Sequence, residues 1–369
     1  MLRFLTAGES HGPHLTAIID GLPAGIKLDL EQINHQLARR QRGYGRGHRM
    51  NIEKDQAIIT GGLLYGQTTG APLSLEIENR DWKNWQEKWQ NGSLTQLTTP
   101  RPGHADYPGM IKYGLDDARP ILERASARET AARVAVGAVA RQLAGEFGVQ
   151  IGSWVEQIGE VRAQIPDLPL PSLWSLAEAS DTACPDENAA QAMRDQIDAA
   201  RRAKDTLGGL VVVTAMGVPV GLGSHAQWDR RLDARIAAAM LSIQAIKGVE
   251  IGPAFENASL PGTRVHDTFL PGQEGQVQRG SNRAGGLEGG MTNGQPLVVR
   301  AAMKPIATTG AKIDSLNLAD GQPAYAEYQR SDICAVPAAA VVAEAMLSWV
   351  LAESLVEKLG GDSLAEMRR

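Results

Sequence analysis

Cysteine is nearly absent from this chain: among 369 residues only Cys184 and Cys334 occur, and neither sits at a paired-ligand spacing. That excludes a disulfide framework and a cysteine-based zinc site. Aromatic residues are scarce at 5%, while glycine reaches 40 residues, so the core is expected to be aliphatic and alanine-rich with many tight turns. Long hydrophobic runs are missing too. The best candidate, residues 336–351, is interrupted by Glu344 and falls short of the roughly 20 uncharged apolar residues that cross a bilayer. The opening MLRFLTAGESHG carries no apolar leader segment. We therefore expect a cytoplasmic protein with no membrane partner and no metal.

What is present is an ordinary globular composition, 43% hydrophobic and 21% charged, with a formal net charge of −5. Against that acidic balance, LARRQRGYGRGHRM at 37–50 holds five arginines, a histidine and three glycines, and no acid. Neighbouring guanidinium groups repel one another, so such a stretch implies an anionic ligand.

Length alone allows one large domain or two, and no low-complexity linker divides the chain. LTAIID (15–20) and LVVVTAM (210–216) read as strands, and each runs into a G-x-P-x-G turn, GLPAG at Gly21 and GVPVG at Gly217, a faint internal repeat. Asp29 with Gln32 forms a capping-box-like helix start that places Leu30, Ile33 and Leu37 on one face. Further helices are expected over 122–147, 230–247, 188–207 and 337–359, with 166–175 as an irregular connection. Trp82, Trp85 and Trp89 are expected on one packed helix face. Alternating elements with central helices favour an α+β layered protein.

Several motifs carry chemistry. TAGESHG (6–12) puts His11 at a strand-to-turn junction between Ser10 and Gly12, where it can donate a proton; the plain alternative is a surface turn. RPGHADY (101–107) sets His104 beside Asp106, which can orient the imidazole. RASARET (124–130) spaces Arg124 and Arg128 four apart around Ser126, Ala125 and Ala127, either to grip phosphate or carboxylate or to form solvated pairs with Glu123 and Glu129. RGSNRAGGLEGGMTNG (279–294) and MKPIATTGAK (303–312) offer backbone N–H groups with Lys304, Thr308 and Thr309, but no Walker spacing. RSDICAVPAAAV (330–341) puts Arg330 and Asp332 before a helix N-terminus, where Asp332 is a base or a cap.

Taken in order, GESHG, RRQRGYGR, RPGHAD, RASARET, SIQAIKGVEIG, AGGLEGG, MKPIATT and RSDICAVPAA resemble the chorismate synthase family, and the resemblance runs from residue 8 to the final helix. It implies a single domain over 1–369, a β-α-β sandwich with central helices between antiparallel sheets, internally duplicated, and a homotetramer. It also implies a lyase of the shikimate pathway that converts 5-enolpyruvylshikimate 3-phosphate to chorismate by 1,4-anti elimination. The resemblance implies that reduced FMN is required without net redox change and that NAD(P)H enters only indirectly, to regenerate reduced flavin, for which an external flavin reductase is a candidate partner.

By the same resemblance His11 protonates the leaving phosphate, His104 manages the charge of the reduced flavin, and Asp332 takes a proton from flavin N5 so that N5 can accept the ring hydrogen. Substrate contacts fall on Ser10, His11, Arg40, Arg46, Arg49, Ala127, Arg128 and Arg330. Flavin contacts fall on Arg124, Ala125, Ser126, Gln244, Ala245, Gly289, Lys304, Pro305, Ile306, Ala307, Thr308 and Arg330. Arg39 and Arg42 are expected on the outer side of the arginine loop. Two departures stand out: Ala125 replaces a common serine, and RRQRG replaces a common RRPG form. Two other readings compete. A nucleic-acid binder is disfavoured by the pI near 5.9 and the lack of interleaved aromatics. An FMN oxidoreductase would consume NAD(P)H.

Overall fold

Two antiparallel sheets take up most of the strands in this computed structural model, which describes residues 1–47, 49–272, 277–327 and 331–369. The first sheet holds β1 (Arg3–Ala7), β2 (His14–Asp20), β3 (Ala57–Gly61) and β4 (Leu73–Glu78) in the order β1-β2-β4-β3. Alternation aims Leu15, Ala17 and Ile19 of β2 and Leu73, Leu75 and Ile77 of β4 into the core. The second sheet holds β5 (Gln150–Ile158), β6 (Val161–Arg162), β7 (Gly209–Met216), β8 (Ile246–Ile251) and β9 (Leu297–Met303) in the order β8-β9-β7-β5-β6. Its middle strand β7 carries the run Val211, Val212 and Val213, fully buried as a β-branched strand covered on both faces should be.

The helices that matter for the site are α1 (Leu30–Gln41), α2 (Asp106–Tyr113), α3 (Arg119–Ala125), α4 (Thr130–Gly145), α5 (Leu170–Ala179), α6 (Glu187–Ala203), α7 (Leu232–Leu241) and α8 (Val336–Leu359). The first sheet packs on α4, the second on α8, and α4 and α8 pack on each other, with α1 and α7 alongside. Small residues make this possible: a Cβ on Gly137 of α4 would come within 2.3 Å of the Ala345 Cβ of α8. The fold is thus mixed α+β with several antiparallel sheets. Helix α8 alone among the described residues is long and apolar enough to cross a membrane, and its most apolar window is 89% buried as a core helix.

Both expected strands, the Asp29-capped helix and the last helix occur, with α1 capped by Asp29 Oδ1 accepting from the Glu31 and Gln32 N–H groups. Ile33 and Leu37 are buried, but Leu30 is exposed. Both G-x-P-x-G turns repeat their backbone, with φ of 79° and 84° at Gly21 and Gly25 and 71° and 81° at Gly217 and Gly221.

Four expectations are corrected. The helix expected over 122–147 breaks at Ser126, whose extended backbone (φ −60°, ψ 140°) lets its side chain accept from the Arg128 N–H. The helix expected over 230–247 stops at Leu241, because Ala245 adopts φ 67° and Ile246 already pairs with Met303 in the sheet. The connection 166–175 contains the start of α5, with Pro171 tolerated in its first turn. Trp82 and Trp89 meet edge to face at 5.9 Å, but Trp85 leaves that face and packs on His11 instead.

Candidate active site

Helix α1 ends in Arg39 and Arg40, which point to opposite sides. Arg40 is buried and donates to Thr130 Oγ1 (2.9 Å), to the Ala127 carbonyl (3.2 Å) and to Asp55 Oδ2 (3.3 Å). Burial, together with repulsion from Arg128 and Arg46, pulls its guanidinium down to about 10 despite Asp55. Arg39 lies inward too, against expectation: it forms a two-pronged pair with the buried Glu344 of α8 (2.6 and 2.9 Å), while Arg42 is 62% exposed beside Glu178.

Beyond α1 the chain threads back toward the first sheet. Arg46 Nη1 pairs with Asp332 Oδ2 at 2.7 Å, the Gly47 N–H donates to Asp332 Oδ1 at 2.7 Å, and the Ile333 N–H donates to the Gly45 carbonyl. The arginine loop is therefore stitched to the segment before α8. Arg49, in the short turn Arg49–Ile52, donates to Ser10 Oγ (2.8 Å) and to the Ser10 carbonyl, pairs with Glu53, and comes within 3.5 Å of His11 Nε2. Burial and repulsion from Arg128 lower its pKa. Arg128 donates to Asp55 through both carboxylate oxygens (2.6 and 2.7 Å) and to Asn79 Oδ1 (2.8 Å).

His11 sits in a turn held by Asn79, whose amide donates to the carbonyls of Glu9 and Gly12. Its main-chain N–H donates to Glu123 Oε2 at 2.8 Å, and its Nδ1 lies 2.9 Å from Glu123 Oε1. The ring packs on Trp85 with centroids 4.1 Å apart. Of the solvated ion pairs considered for RASARET, Arg124 does reach Glu129 Oε1 at 3.9 Å, but Glu129 and Glu123 are themselves buried and Arg128 turns to Asp55 instead.

His104 lies two residues before α2, its Nδ1 2.6 Å from Asp106 Oδ1. Burial opposes ionisation of Asp106, but hydrogen bonds from His104 and Arg101 hold its carboxyl well below the usual range. Arg101 reaches on to Thr308 Oγ1 (3.1 Å), and the Thr308 carbonyl accepts from Ser331 Oγ (2.9 Å), next to Asp332. Lys304–Thr308 is anchored by the Lys304 N–H on the Ala245 carbonyl and by Thr206 on the Ile306 carbonyl. Burial, then repulsion from Lys247, lowers the Lys304 pKa.

On the other side of α3, Arg124 donates to the carbonyl and hydroxyl of Thr6 (2.8 and 2.7 Å), and Gln244 Nε2 donates to Glu129 (3.1 Å). Thr6, Arg124, Glu129 and Gln244 line a cleft of about 420 Å³. Ala125, Ser126 and Ala127 form the break between these two clusters.

Most candidate positions are thus linked: Ser10, His11, Arg40, Arg46, Arg49, Ala127, Arg128 and Asp332 in one network, and His104 with Lys304–Thr308 joined to it through Ser331. Gly289 turns the hairpin Leu287–Thr292 with open space where a Cβ would be. Among the described residues no hydrogen bond ties it to the others. Arg330 lies outside the described residues. Sequence reasoning missed Glu53, Asp55, Asn79 and Arg101 as partners of this network. Only Glu53, four residues after Arg49, left a local signal.

Chemically, such a cluster is able to hold a small polyanion, and its two imidazoles, each against a buried carboxylate, are able to move protons. The chorismate synthase family profile matches residues 2–356. Curated chorismate synthases from Trichlorobacter lovleyi and Desulforamulus reducens are 55% and 54% identical, each match covering 100% of this chain and 97% of the relative. A solved chorismate synthase crystal structure superposes with TM-score 0.81 at 46% identity, covering 100% of this chain and 95% of that one. The chain belongs to the chorismate synthase family, lyases of the shikimate pathway that leads to the aromatic amino acids, and chorismate synthase activity is the function this membership assigns to it.

Proposed function

We propose that this site removes phosphate from 5-enolpyruvylshikimate 3-phosphate by 1,4-anti elimination to give chorismate, with reduced FMN bound and no net redox change. The observation that carries the reading is Arg49, which joins Ser10 Oγ to Glu53 and stands 3.5 Å from His11 Nε2. An anion gripped by Arg49 lies beside the ring nitrogen that must protonate it.

The substrate brings two carboxylates and a phosphate into one pocket, and their desolvation is offset only where several cations converge. Ser10, Arg40, Arg46, Arg49, Ala127 and Arg128 bind it, and Arg330 joins them. Arg46 supports this assignment, because its buried Nε has no partner among the described residues and is a donor awaiting an acceptor. His11 hands a proton to the departing phosphate, whose loss as a more highly charged anion is costly. Asp332 takes up a proton at its carboxylate, and His104, oriented by Asp106, balances negative charge next to the cofactor.

The residues present fit a flavin on one independent sign. Among the described residues Gln244 Oε1 is buried without a partner beside the cleft lined by Thr6 and Arg124, and a flavin ring carries N–H donors. Arg124, Ala125, Ser126, Gln244, Ala245, Gly289 and Lys304–Thr308 would hold it, the lysine suiting its phosphate. Bound there, reduced FMN would supply transient electron density for the elimination.

The same reading takes the fold as one domain, an internally duplicated β-α-β sandwich, which the paired φ values of the two G-x-P-x-G turns support. It takes the working form as a cytoplasmic homotetramer supplied with reduced flavin by an external NAD(P)H-dependent reductase. Exposed Tyr107, Ile111, Trp228 and Phe255 support surfaces covered by other copies. The experiment is anaerobic mixing of the protein with photoreduced FMN and 5-enolpyruvylshikimate 3-phosphate. Phosphate release while the flavin stays reduced is the expected result; stoichiometric flavin oxidation or NAD(P)H consumption would instead identify an oxidoreductase.

A further inference from the structure

We propose that Glu123 decides which nitrogen of His11 does the chemistry, keeping a proton on Nδ1 so that Nε2 is the atom that gives and regains a proton at the substrate. The proposal rests on the reading of His11 as the proton donor. Glu123 is buried and its two oxygens meet two nitrogens of one residue: Oε2 accepts from the His11 main-chain N–H at 2.8 Å, and Nδ1 lies 2.9 Å from Oε1 and 3.0 Å from Oε2. A carboxylate accepts only, so Nδ1 must carry the hydrogen. On the far edge of the ring, Arg49 Nη1 stands 3.5 Å from Nε2, and a guanidinium donates only, so the neutral ring meets it with a lone pair.

The arrangement is held from all sides. Trp85 packs against the imidazole at 4.1 Å, the Ser10 N–H donates to the Glu123 carbonyl, and Arg119 Nη1 stands 3.8 Å from Glu123 Oε1. Glu123 is therefore a positioning residue that acts through the ring. In the step itself the proton leaves Nε2 for a phosphate oxygen as the C–O bond breaks and its electron pair goes with that phosphate. The imidazolium becomes the neutral Nδ1–H form.

Glu123→Gln separates this role from packing. Its amide has one oxygen for the main-chain N–H and an NH2 to turn toward Nδ1, an arrangement that favours the ring with its proton moved to Nε2. The test is two-dimensional 15N NMR of [15N]histidine-labelled, flavin-loaded enzyme at alkaline pH, with His11 assigned from an H11N difference spectrum. A pyridine-type shift at Nε2 in the parent and at Nδ1 in E123Q is the expected result. Turnover of E123Q should fall about 10²- to 10⁴-fold, the range that general acid catalysis and a wrong tautomer command, with KM for the substrate little changed. A protonated Nε2 and bare Nδ1 in the parent would overturn the proposal, and the parent spectrum decides this even if E123Q does not fold. An unchanged tautomer with unchanged turnover in E123Q would overturn it too. H11A, measured alongside, keeps the two readings apart: full turnover there contradicts the role of His11 and leaves the tautomer assignment standing.

Discussion

Arg40 and Arg128 share one buried carboxylate: Asp55 Oδ2 accepts from Nη1 of Arg128 at 2.7 Å and from Nη1 of Arg40 at 3.3 Å. Removing that charge leaves two buried guanidiniums facing each other. Asp55→Asn is expected to lower unfolding free energy by about 3–5 kcal/mol, the cost of orphaning a buried ion partner. Asp20→Asn, which breaks the exposed pair with Arg3, should cost below about 1 kcal/mol. Urea unfolding of the two variants side by side makes the comparison; equal losses would mean that Asp55 does not serve as the anchor of the arginine cluster.

Asp332 accepts from the Gly47 N–H and pairs with Arg46, so it locks the arginine loop in addition to the proton-accepting role proposed for it. Asp332→Asn keeps an acceptor for Gly47. We expect kcat to drop about 10²-fold or more, as for loss of a general base, while oxidised FMN binds within threefold of the parent by fluorescence quenching. Full turnover in D332N would remove Asp332 from the chemistry.

Acid should destabilise the fold in a set order. Burial works against ionisation of Glu344 and Asp106, yet Arg39 and Arg141 around the first, and His104 and Arg101 around the second, hold both carboxyls below their ordinary values. A folded value below the unfolded one means stabilisation that is complete above the unfolded value of about 4 and is lost as pH falls below it. Midpoints of urea unfolding should stay level from about pH 7 to 5 and fall steeply under about pH 4. Glu344→Gln should flatten that acid limb; a midpoint that rises on acidification would contradict the sign.

Both thiols are buried, and burial pushes Cys184 up to about 11 and Cys334 up to about 12. The reactive thiolate is scarce in both. Native protein should therefore resist a thiol-disulfide reagent at pH 8 and release two equivalents per chain only on denaturation. Rapid labelling of Cys334 in the native state would show that the segment beside Asp332 opens readily.

Local signals carried the sequence reading furthest. β7 declared itself by its valines, α1 by Asp29, and α8 by the stop at Gly360 and Gly361. The break at Ser126 was not legible because it depends on where Arg128 must point, and that is set by Asp55 and Asn79 from other parts of the chain. Arg39 was misjudged for the same reason, since its partner Glu344 arrives from the last long helix. Motif order brought Ser10, His11, Arg49 and Asp332 onto one list, but the carboxylates that orient them lie outside those motifs or were given surface roles. Pairing across distant segments is a property of topology, which local periodicity does not encode.

The account stands on scattered arginines jointly holding a small polyanion. Arg46 offers the sharpest test, because among the described residues its buried Nε has no partner and its one ion pair is with Asp332. Equilibrium dialysis of 5-enolpyruvylshikimate 3-phosphate against enzyme loaded with oxidised FMN, where no turnover occurs, measures binding alone. R46A should bind about 10- to 100-fold more weakly than the parent, the value of a charge-assisted hydrogen bond. Unchanged affinity in R46A would contradict the account.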